Sequence, residues 1–586
     1  MFVRSVRLDG FRGLSCNVEL AGPLAVIVGE NNSGKSAVID ALRSVLWPAD
    51  GPQARRWIRI EDFTHGLDGS RTTEKFEIEV VLAGLGADDE NALVTCLSPS
   101  LGDGMAKLRL RASINRHERV DHELIGGDGE SPLSDPFARE VVQYVYLPPL
   151  RDAARDLAPG RGNRVATLLR ATAPPGHDDR AAMESIVGQA NTDLDQVGSM
   201  QIAEREIADH LRAMVSKHYA LPTDLRFAPA EFEAIIRTLR GHIGEISTLP
   251  IESTGLGMHN LLFMSVLLSS LRAGEDARLT VLLVEEPEAH LHPQLQDLLM
   301  RFLEAPDAAL GRAKAETETA KADHQDDENA TRPVQSVVTS HSPNFAAAAG
   351  AERVTVMARH GADVVARAPA SFGLKSEDLD HLRRYLDVTK AALLFSRGVI
   401  LVEGLAEQLV VPAIARTMGL QLHDYGVTVV NIDGLAFGPF VELFGFEDRL
   451  PRRCALITDG DTAPGELDGD DPTLSHSTQA LLQRVADWPN VEVFFGPTTF
   501  ERELGNAGQW DVLLAALSKV HRNLAQQLRE SPPTTAEGRG EALLDVVVRN
   551  RSKGRFAQAL ASVLDAGAKL DPPIYVADAI RFACTS

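Results

Sequence analysis

Residues 29–36 read Gly29-Glu-Asn-Asn-Ser-Gly34-Lys35-Ser36, which is the complete spacing G-x-x-x-x-G-K-S. An apolar run typical of a buried strand, PLAVIVGE, leads into this loop, and a helical pattern, AVIDALRSVL, follows it. The glycines let the backbone N–H groups of the loop, which includes Asn32, wrap around phosphates, while Lys35 reaches the β- and γ-phosphates and the Ser36 hydroxyl binds Mg²⁺. The first part of the chain is therefore predicted to bind ATP.

A second apolar strand, LTVLLV at 279–284, ends in the adjacent acids Glu285 and Glu286. In nucleotide sites of this type the first acid holds Mg²⁺, and the second orients or deprotonates the attacking water. A strand this apolar seldom ends in two adjacent acids followed by proline, which argues against a merely solvated strand end. We therefore expect both acids to face the loop at 29–36.

The residues around this strand resemble ABC-type ATPases of the recombination and repair class. The segment Glu285-Glu-Pro-Glu-Ala-His-Leu-His-Pro293 resembles their Walker B motif and D-loop. The segment Thr339-Ser-His341-Ser-Pro343 resembles their H-loop, which makes His341 the candidate γ-phosphate sensor. The resemblance implies a dimer in which the signature motif of one subunit completes the ATP site of the other.

The signature motif of these ATPases corresponds in position to the segment that contains Ser253, Gly255 and Gly257, which precedes an apolar helix predicted at 258–273. This segment is not a standard LSGGQ, and Glu285 stands where the family usually has aspartate. We expect both departures to affect the rate of ATP hydrolysis more than the binding of ATP. Gln143 is either the Q-loop residue or an ordinary strand residue.

A second α/β unit begins near residue 391, with strands predicted at 398–403, 427–432, 454–459 and 491–496. The alternation of strands and helices predicts a mostly parallel sheet. Glu403 ends the first of these strands, and Asp459 and Asp461 follow the third. Hard oxygen ligands of this kind suit Mg²⁺ or Mn²⁺. The order and spacing of the three acids resemble the toprim domain of topoisomerases, primases and certain nucleases, which act at phosphodiester bonds.

An ABC-type ATPase joined to a C-terminal toprim domain resembles the OLD (overcoming lysogenisation defect) nucleases over nearly the whole chain. The most similar subgroup is class 2, which includes the nuclease subunit of the Gabija anti-phage system. The resemblance implies an α/β protein with an ATPase domain at 1–150 and 246–390, a helical insertion at 151–245 that serves dimerisation, and a toprim nuclease domain at 391–586. It also implies DNA as substrate, a two-metal site and, by analogy, a partner helicase.

A two-metal site needs more carboxylates than three, because both the attacking and the leaving oxygen must be stabilised. Glu407 lies on the first turn of a predicted helix, where it either joins the metal site or is a favourable N-terminal helix charge. Glu501 follows the strand at 491–496 and is either a further ligand or a helix-start acid.

A basic stretch near the end of the chain contains Arg549, Arg551, Lys553 and Arg555. It resembles the late motif of the OLD family that carries a catalytic lysine. Lys553 would neutralise charge that develops on the scissile phosphate, and the three arginines would hold flanking phosphates. The alternative is a solvated basic turn.

Composition excludes several classes of protein. The 586 residues are 44% hydrophobic and 24% charged, which excludes wholesale disorder and collagen-like repetition. The net charge of −23 argues against a general DNA-coating protein but allows a local basic groove. No apolar run reaches the roughly 18 residues of a membrane span, no signal-peptide core is visible, and the four cysteines form no zinc or disulfide spacing. We therefore expect a cytoplasmic protein.

These observations together predict a dimeric, metal-dependent DNA endonuclease that nicks or breaks DNA and is coupled to an ATPase, with a role in anti-phage defence or DNA repair. The alternative is an ATP-driven DNA-binding clamp whose toprim site is not a nuclease. A topoisomerase or primase is less favoured, because none of the six tyrosines has an evident strand-passage context and zinc elements are absent.

Overall fold

The computed structural model of the chain describes residues 1–149, 164–214, 230–239, 277–304, 334–460 and 476–585, together with short pieces at 242–243, 249–250, 257, 262 and 264–266. Within these ranges, residues 21, 50, 52–53, 67, 290, 362, 435–436 and 446–447 are left out. No helix in the described ranges is long and apolar enough to cross a membrane.

The described strands form one mixed, one antiparallel and one parallel sheet and a short hairpin. In chain order they are β1 (Phe2–Phe11), β2 (Leu14–Glu19), β3 (Leu24–Gly29), β4 (Trp47–Pro48), β5 (Lys75–Ala83), β6 (Ala106–Ile114), β7 (Val120–Gly126), β8 (Val142–Leu147), β9 (His242–Ile243), β10 (Leu249–Pro250), β11 (Leu279–Glu285), β12 (Val334–Ser340), β13 (Val354–His360), β14 (Asp363–Arg367), β15 (Gly398–Val402), β16 (Val427–Asn431), β17 (Arg453–Asp459) and β18 (Val491–Gly496).

The described α-helices lie between and around these strands. They are α1 (Lys35–Val45), α2 (Ala87–Ala92), α3 (Pro136–Glu140), α4 (Arg164–Thr172), α5 (Asp178–Leu194), α6 (Gly198–Met214), α7 (Phe232–Thr238), α8 (Pro293–Glu304), α9 (Pro343–Ala349), α10 (Ser376–Tyr385), α11 (Leu405–Thr417), α12 (Phe437–Val441), α13 (His476–Val485), α14 (Phe500–Ala507), α15 (Trp510–Val520), α16 (Arg522–Glu530), α17 (Ala536–Arg549), α18 (Lys553–Asp565) and α19 (Ile574–Cys584).

The ATPase part contains two sheets with α1 between them. The five-stranded antiparallel sheet has the order β2-β1-β5-β6-β7, and the seven-stranded sheet has the order β14-β13-β3-β12-β11-β8-β4. In the larger sheet only β14, at one edge, runs antiparallel to its neighbour. Leu42 of α1 belongs to one buried cluster with Ile78 of β5 and Ile27 of β3. Helix α1, which follows the glycine-rich loop, thus packs against both sheets.

The second α/β unit contains the four-stranded sheet β16-β15-β17-β18, in which every pair is parallel. The carboxyl ends of these strands meet at one edge, where a parallel sheet places its ligand-binding residues. A single buried cluster runs from Phe345 of α9 through Leu394 to Val399 and Leu401 of β15. The two units therefore share a core, which fixes one sheet relative to the other.

The predicted strands and the parallel sheet are confirmed. Strand β8 ends at Leu147, before the two prolines at 148 and 149 that cannot donate to a sheet. Helices α4–α7 agree with the predicted helical insertion in the part that is described. The helix predicted at 258–273 lies mostly outside the described residues. Helix α8 ends at Glu304 and β12 begins at Val334, and residues 305–333 lie outside the described part.

Candidate functional site

The glycine-rich loop runs from the end of β3 to the start of α1, as predicted. Gly29 is the last residue of β3, and a Cβ atom added to it would lie 2.3 Å from the main-chain oxygen of Met357 in the neighbouring strand β13. Only glycine fits this close approach of two backbones. Helix α1 begins at Lys35. The loop therefore lies at the N-terminus of this helix, where backbone N–H groups bind anions.

The Lys35 ammonium is buried within the loop itself. Its Nζ donates hydrogen bonds to the carbonyl oxygens of Gly29, at 2.9 Å, and Glu30, at 2.7 Å. Burial lowers the pKa of Lys35 to about 8, although the carboxylates of Glu286, Glu288 and Glu30 oppose this shift. A third, longer hydrogen bond of 3.4 Å goes to the Ser33 hydroxyl. A desolvated ammonium held by neutral groups is a strong site for a phosphate group.

Glu285 ends β11 beside this loop. Its carboxylate accepts a hydrogen bond from the Tyr146 hydroxyl at 2.8 Å and another from the Ser36 side chain. Burial raises the pKa of Glu285, and the hydrogen bonds from Ser36 and Tyr146 counteract the rise. The two predicted Mg²⁺ ligands of the nucleotide site, Ser36 and Glu285, are therefore in contact.

The interpretation of Gln143 as a Q-loop residue is not supported. Gln143 is the second residue of β8 and lies opposite Thr280, at the far end of the strand from Glu285. Tyr146, three residues later, points to the other face of the strand and reaches Glu285. Gln143 is an ordinary strand residue.

Glu286 and His341 come together on adjacent strand ends. The His341 Nε2 atom lies 3.3 Å from a Glu286 carboxylate oxygen. Glu288 accepts hydrogen bonds from the Ser340 hydroxyl, at 2.7 Å, and from the His341 main-chain N–H, at 2.8 Å, which fixes the H-loop. Burial and the nearby Lys35 ammonium lower the pKa of His341. The carboxylates of Glu286 and Glu288 oppose this shift. The role of His341 as γ-phosphate sensor stays a prediction.

The signature segment cannot be placed in the same way. Ser253 and Gly255 lie outside the described residues, and Gly257 is described only as a helical residue. Their assignment to ATP binding stays a prediction.

The carboxyl edge of the parallel sheet brings Glu403 and Asp459 together. A Glu403 oxygen accepts a hydrogen bond from the Asp459 main-chain N–H at 2.9 Å and another from the Thr458 hydroxyl. The two strands β15 and β17 are direct neighbours, which explains why their ends meet. Asp461, the third predicted ligand, lies outside the described residues.

Glu407 and Glu501 face the same edge. Glu407 is on the first turn of α11, and its pKa is raised by burial and by the nearby carboxylates of Glu501 and Glu403, against the opposing charge of Lys553. Glu501 is on the first turn of α14, and only 2% of its surface is exposed. A helix-start acid is normally solvated, whereas Glu501 is buried and Glu407 is half-buried. The assignment of both residues as metal ligands stays a prediction.

Lys553 neutralises part of this acidic cluster. Its Nζ lies 2.9 Å from a Glu501 oxygen. Burial alone would lower the pKa of Lys553, but the hydrogen bond to Glu501 and the charges of Asp459 and Glu407 raise it. The preceding residue, Ser552, is buried and shares a 3.0 Å hydrogen bond with His521, which anchors the start of α18. Lys553 is thus placed beside the predicted metal ligands.

The three arginines of the basic stretch are exposed around Lys553. Arg549 ends α17 and forms an ion pair with Asp545, while Arg551 lies in the turn before α18 and Arg555 lies within α18. All three side chains are exposed, and their assignment to DNA binding stays a prediction.

The donor set of this edge fits a divalent metal ion. Within the described part of the chain, no three acidic, histidine or cysteine side chains are close enough to hold one ion as they stand. However, Glu403, Glu407, Asp459 and Glu501 provide hard carboxylate oxygens in one place, and Asp461 follows directly from Gly460. Mutual repulsion among these carboxylates favours the binding of a cation.

Three residues of this site were missed by the sequence analysis. Thr458 precedes Asp459 and donates to Glu403. Glu503 accepts hydrogen bonds from the Thr498 main-chain N–H and hydroxyl, which fixes the loop before α14. Tyr575, at the start of α19, packs against Gly496 at the end of β18. Of the three, only Thr458 could have been found from the sequence, because it is a polar residue directly before the predicted ligand Asp459.

An ion pair connects the two candidate sites. Arg397, directly before β15, donates from Nη2 to a carboxylate oxygen of Glu30 in the glycine-rich loop at 2.9 Å, and its Nε lies 3.1 Å from the other oxygen. Strand β15 leads from Arg397 to Glu403. The nucleotide loop and the acidic edge are therefore linked by one short strand.

Comparison with protein families agrees with both types of domain. Residues 394–461 match the family "Overcoming lysogenization defect protein-like, TOPRIM domain". Residues 184–346 match an AAA ATPase domain family, and residues 5–98 match an AAA domain family.

Similar proteins span most of the chain. The OLD nuclease of Thermus scotoductus is 23% identical over 542 residues, which cover 86% of this chain and 92% of the relative. The uncharacterized protein YbjD of Escherichia coli is 22% identical over 487 residues, which cover 79% of this chain and 80% of the relative. The solved C-terminal region of the Xanthomonas campestris OLD protein is 28% identical, covers 33% of this chain and 94% of that chain, and has a TM-score of 0.25.

A nucleotide-binding loop with its acidic partner strand, followed by a parallel sheet with acidic strand ends, defines an enzyme that joins an ATPase domain to a toprim nuclease domain. The chain is similar to the OLD nuclease of Thermus scotoductus over most of its length, and its second part matches the OLD-like toprim family.

Proposed function

We propose that this protein is a divalent-metal-dependent DNA endonuclease whose toprim site hydrolyses phosphodiester bonds. The observation that supports the proposal most directly is the convergence of Glu403, Glu407, Asp459 and Glu501 with Lys553 at one sheet edge. Carboxylates alone would repel a DNA phosphate. A metal-binding acidic cluster with one lysine ammonium beside it can instead attract the phosphate and stabilise its reaction.

In this proposal Glu403, Asp459 and Asp461 hold one metal ion, and Glu407 and Glu501 supply ligands for a second. Bound divalent ions would activate a water molecule and stabilise the attacking and leaving oxygens. The protein's own groups do the positioning. Thr458 and the Asp459 N–H orient Glu403, and Lys553 offers its ammonium to the charge that develops on the scissile phosphate.

The exposed arginines 549, 551 and 555 would contact phosphates on either side of the cleaved bond, which positions the DNA without reading its sequence.

We also propose that the protein is a homodimer, in which Ser253, Gly255 and Gly257 of one subunit complete the ATP site of the other. We further propose that the protein acts in anti-phage defence or DNA repair and that a helicase is its partner.

The direct test is incubation of the purified protein with supercoiled plasmid in Mg²⁺, Mn²⁺ or EDTA, each with and without ATP. We expect nicked or linear DNA with either metal and intact plasmid in EDTA. Metal-dependent DNA binding without any nick would instead identify an ATP-driven clamp. Relaxed closed circles would identify a topoisomerase.

The ATP site has its own prediction. Glu286→Gln should keep ATP binding but slow hydrolysis at least about 10²-fold, because the attacking water loses its base while Ser36 and Glu285 remain as metal ligands. Lys35→Ala should instead weaken ATP binding, because a buried cation that faces the phosphates is lost. Nucleotide affinity and single-turnover hydrolysis separate the two effects.

The matched control is Glu61→Gln, an exposed acid of the same domain, which should behave as the unmodified protein. Hydrolysis by Glu286→Gln at the normal rate would show that Glu286 is not the base.

A further inference from the structure

The hydroxyl of Tyr146 lies beside the nucleotide site, on the acid that ends β11. Tyr146 is the residue before the last in β8 and is paired in register with Leu283 of β11. Its side chain extends past this pair to Glu285, two residues further along β11. The Tyr146 Oη atom donates to Glu285 Oε1 at 2.8 Å, a normal length for a hydrogen bond from a hydroxyl. Tyr146 therefore contacts a predicted Mg²⁺ ligand directly.

The ring of Tyr146 is held in place by helix α1. The Arg43 guanidinium lies over the ring, with its Cζ atom 3.6 Å from the ring centroid. Arg43 Nη1 donates to Asp40 at 2.8 Å, while its Nε atom is buried and makes no hydrogen bond with any described residue. The guanidinium is therefore stacked on the ring, as arginine commonly is on aromatic faces. The same helix carries Ser36 in its first turn.

The Glu285 carboxylate needs partners to keep one orientation. A glutamate side chain has three rotatable bonds, so its carboxylate can point in many directions unless contacts select one. Glu285 is buried and accepts hydrogen bonds from Tyr146 and from the Ser36 side chain. Of these two donors, only Tyr146 is not itself a predicted metal ligand. An ionised carboxylate has about four lone-pair sites, so the hydrogen bond from Tyr146 leaves room for a metal ion.

We propose that Tyr146 is a positioning residue of the ATP site, whose hydroxyl holds the Glu285 carboxylate in the orientation in which it binds the Mg²⁺ ion of Mg²⁺–ATP. Hydrogen-bond partners of metal ligands fix the orientation of those ligands, and their loss weakens metal binding about 10- to 100-fold. The inference rests on the proposed role of Glu285 as a Mg²⁺ ligand.

The test uses Tyr146→Phe in the full-length protein, because phenylalanine keeps the ring beside Arg43 and removes only the hydroxyl. The affinity for a fluorescent ATP analogue, methylanthraniloyl-ATP, is measured in Mg²⁺ and in EDTA. We expect binding about 10-fold weaker in Mg²⁺ and unchanged to within about 2-fold in EDTA, because only the metal-bound nucleotide uses Glu285. An equal loss in both conditions, or no loss in either, would overturn the positioning role.

A double-mutant cycle tests whether Tyr146 acts through Glu285. Glu285→Ala should remove most of the gain in affinity that Mg²⁺ gives, and Tyr146→Phe added to it should cost no more than about 2-fold, because the two side chains share one interaction. A further loss of about 10-fold in the double variant would overturn the positioning role. Normal Mg²⁺-dependent affinity in Glu285→Ala would overturn the ligand role of Glu285, and the inference with it.

The matched control is Tyr144→Phe, two residues earlier in the same strand. The Tyr144 hydroxyl donates to the main-chain oxygen of Ala54 at 3.3 Å, so its removal should leave both affinities unchanged. A similar loss confined to Mg²⁺ in this control would overturn the specific role of Tyr146. None of these measurements uses DNA, so the nuclease proposal is tested separately by the plasmid assay.

Discussion

Asp459→Ala and Glu403→Gln should each abolish metal-dependent plasmid cleavage and leave ATP hydrolysis largely intact. We expect a loss of at least about 10³-fold, because a missing metal ligand removes about 4 kcal/mol of transition-state stabilisation. ATP hydrolysis should persist because the ATP site lies in a different sheet. Single-turnover cleavage and steady-state ATP hydrolysis are measured on the same preparations.

Glu403→Gln is more informative than Glu403→Ala, because Glu403 also accepts hydrogen bonds from Asp459 and Thr458. Glutamine keeps a carbonyl oxygen for these donors and removes only the charge. The control is Glu492→Ala, an exposed acid in the middle of β18. Normal cleavage by both Asp459→Ala and Glu403→Gln would remove the two-metal hypothesis.

The parts of this molecule that could be predicted are those in which the site residues directly follow an apolar strand in the sequence. The glycine-rich loop, the acids after β11 and the acids after β15 and β17 each follow an apolar run, and burial of that run places them at a strand end. The parallel order of the second sheet then brings Glu403 to Asp459. The first step needs no knowledge of tertiary packing, whereas the second depends on the order of the strands in the sheet.

The remaining site residues depend on contacts between distant segments. Nothing near Tyr575 in the sequence distinguishes it from an ordinary helix-start tyrosine, and its position at the sheet edge arises because α19 packs on Gly496. The same is true of the ion pair between Arg397 and Glu30. For Glu501, the sequence left two roles open, and burial beside Lys553 decides which is favoured, because a first-turn acid in solvent would not need an ammonium partner.

Lys553 is the residue for which a catalytic role and a DNA-holding role make the most different predictions. If Lys553 stabilises charge on the scissile phosphate, Lys553→Ala should lower the single-turnover cleavage rate about 10²–10³-fold at saturating DNA, which corresponds to about 3–4 kcal/mol. If it only holds a phosphate, binding should weaken modestly, and lower salt should restore cleavage. A binding curve measured beside the cleavage rate separates these results.

The ion pair with Glu501 adds a second consequence of the same substitution. Lys553→Ala leaves a carboxylate that is only 3% exposed without its ammonium partner, so thermal unfolding must be measured to exclude a loss of structure. Lys553→Arg avoids this difficulty, because arginine keeps the positive charge beside Glu501 but differs in reach and shape. A DNA-holding role should survive this change and a catalytic role should not. Lys569→Ala, at an exposed lysine of the same domain, is the control. Normal single-turnover cleavage by Lys553→Arg and Lys553→Ala, with weaker DNA binding, would show that Lys553 takes no part in the chemistry.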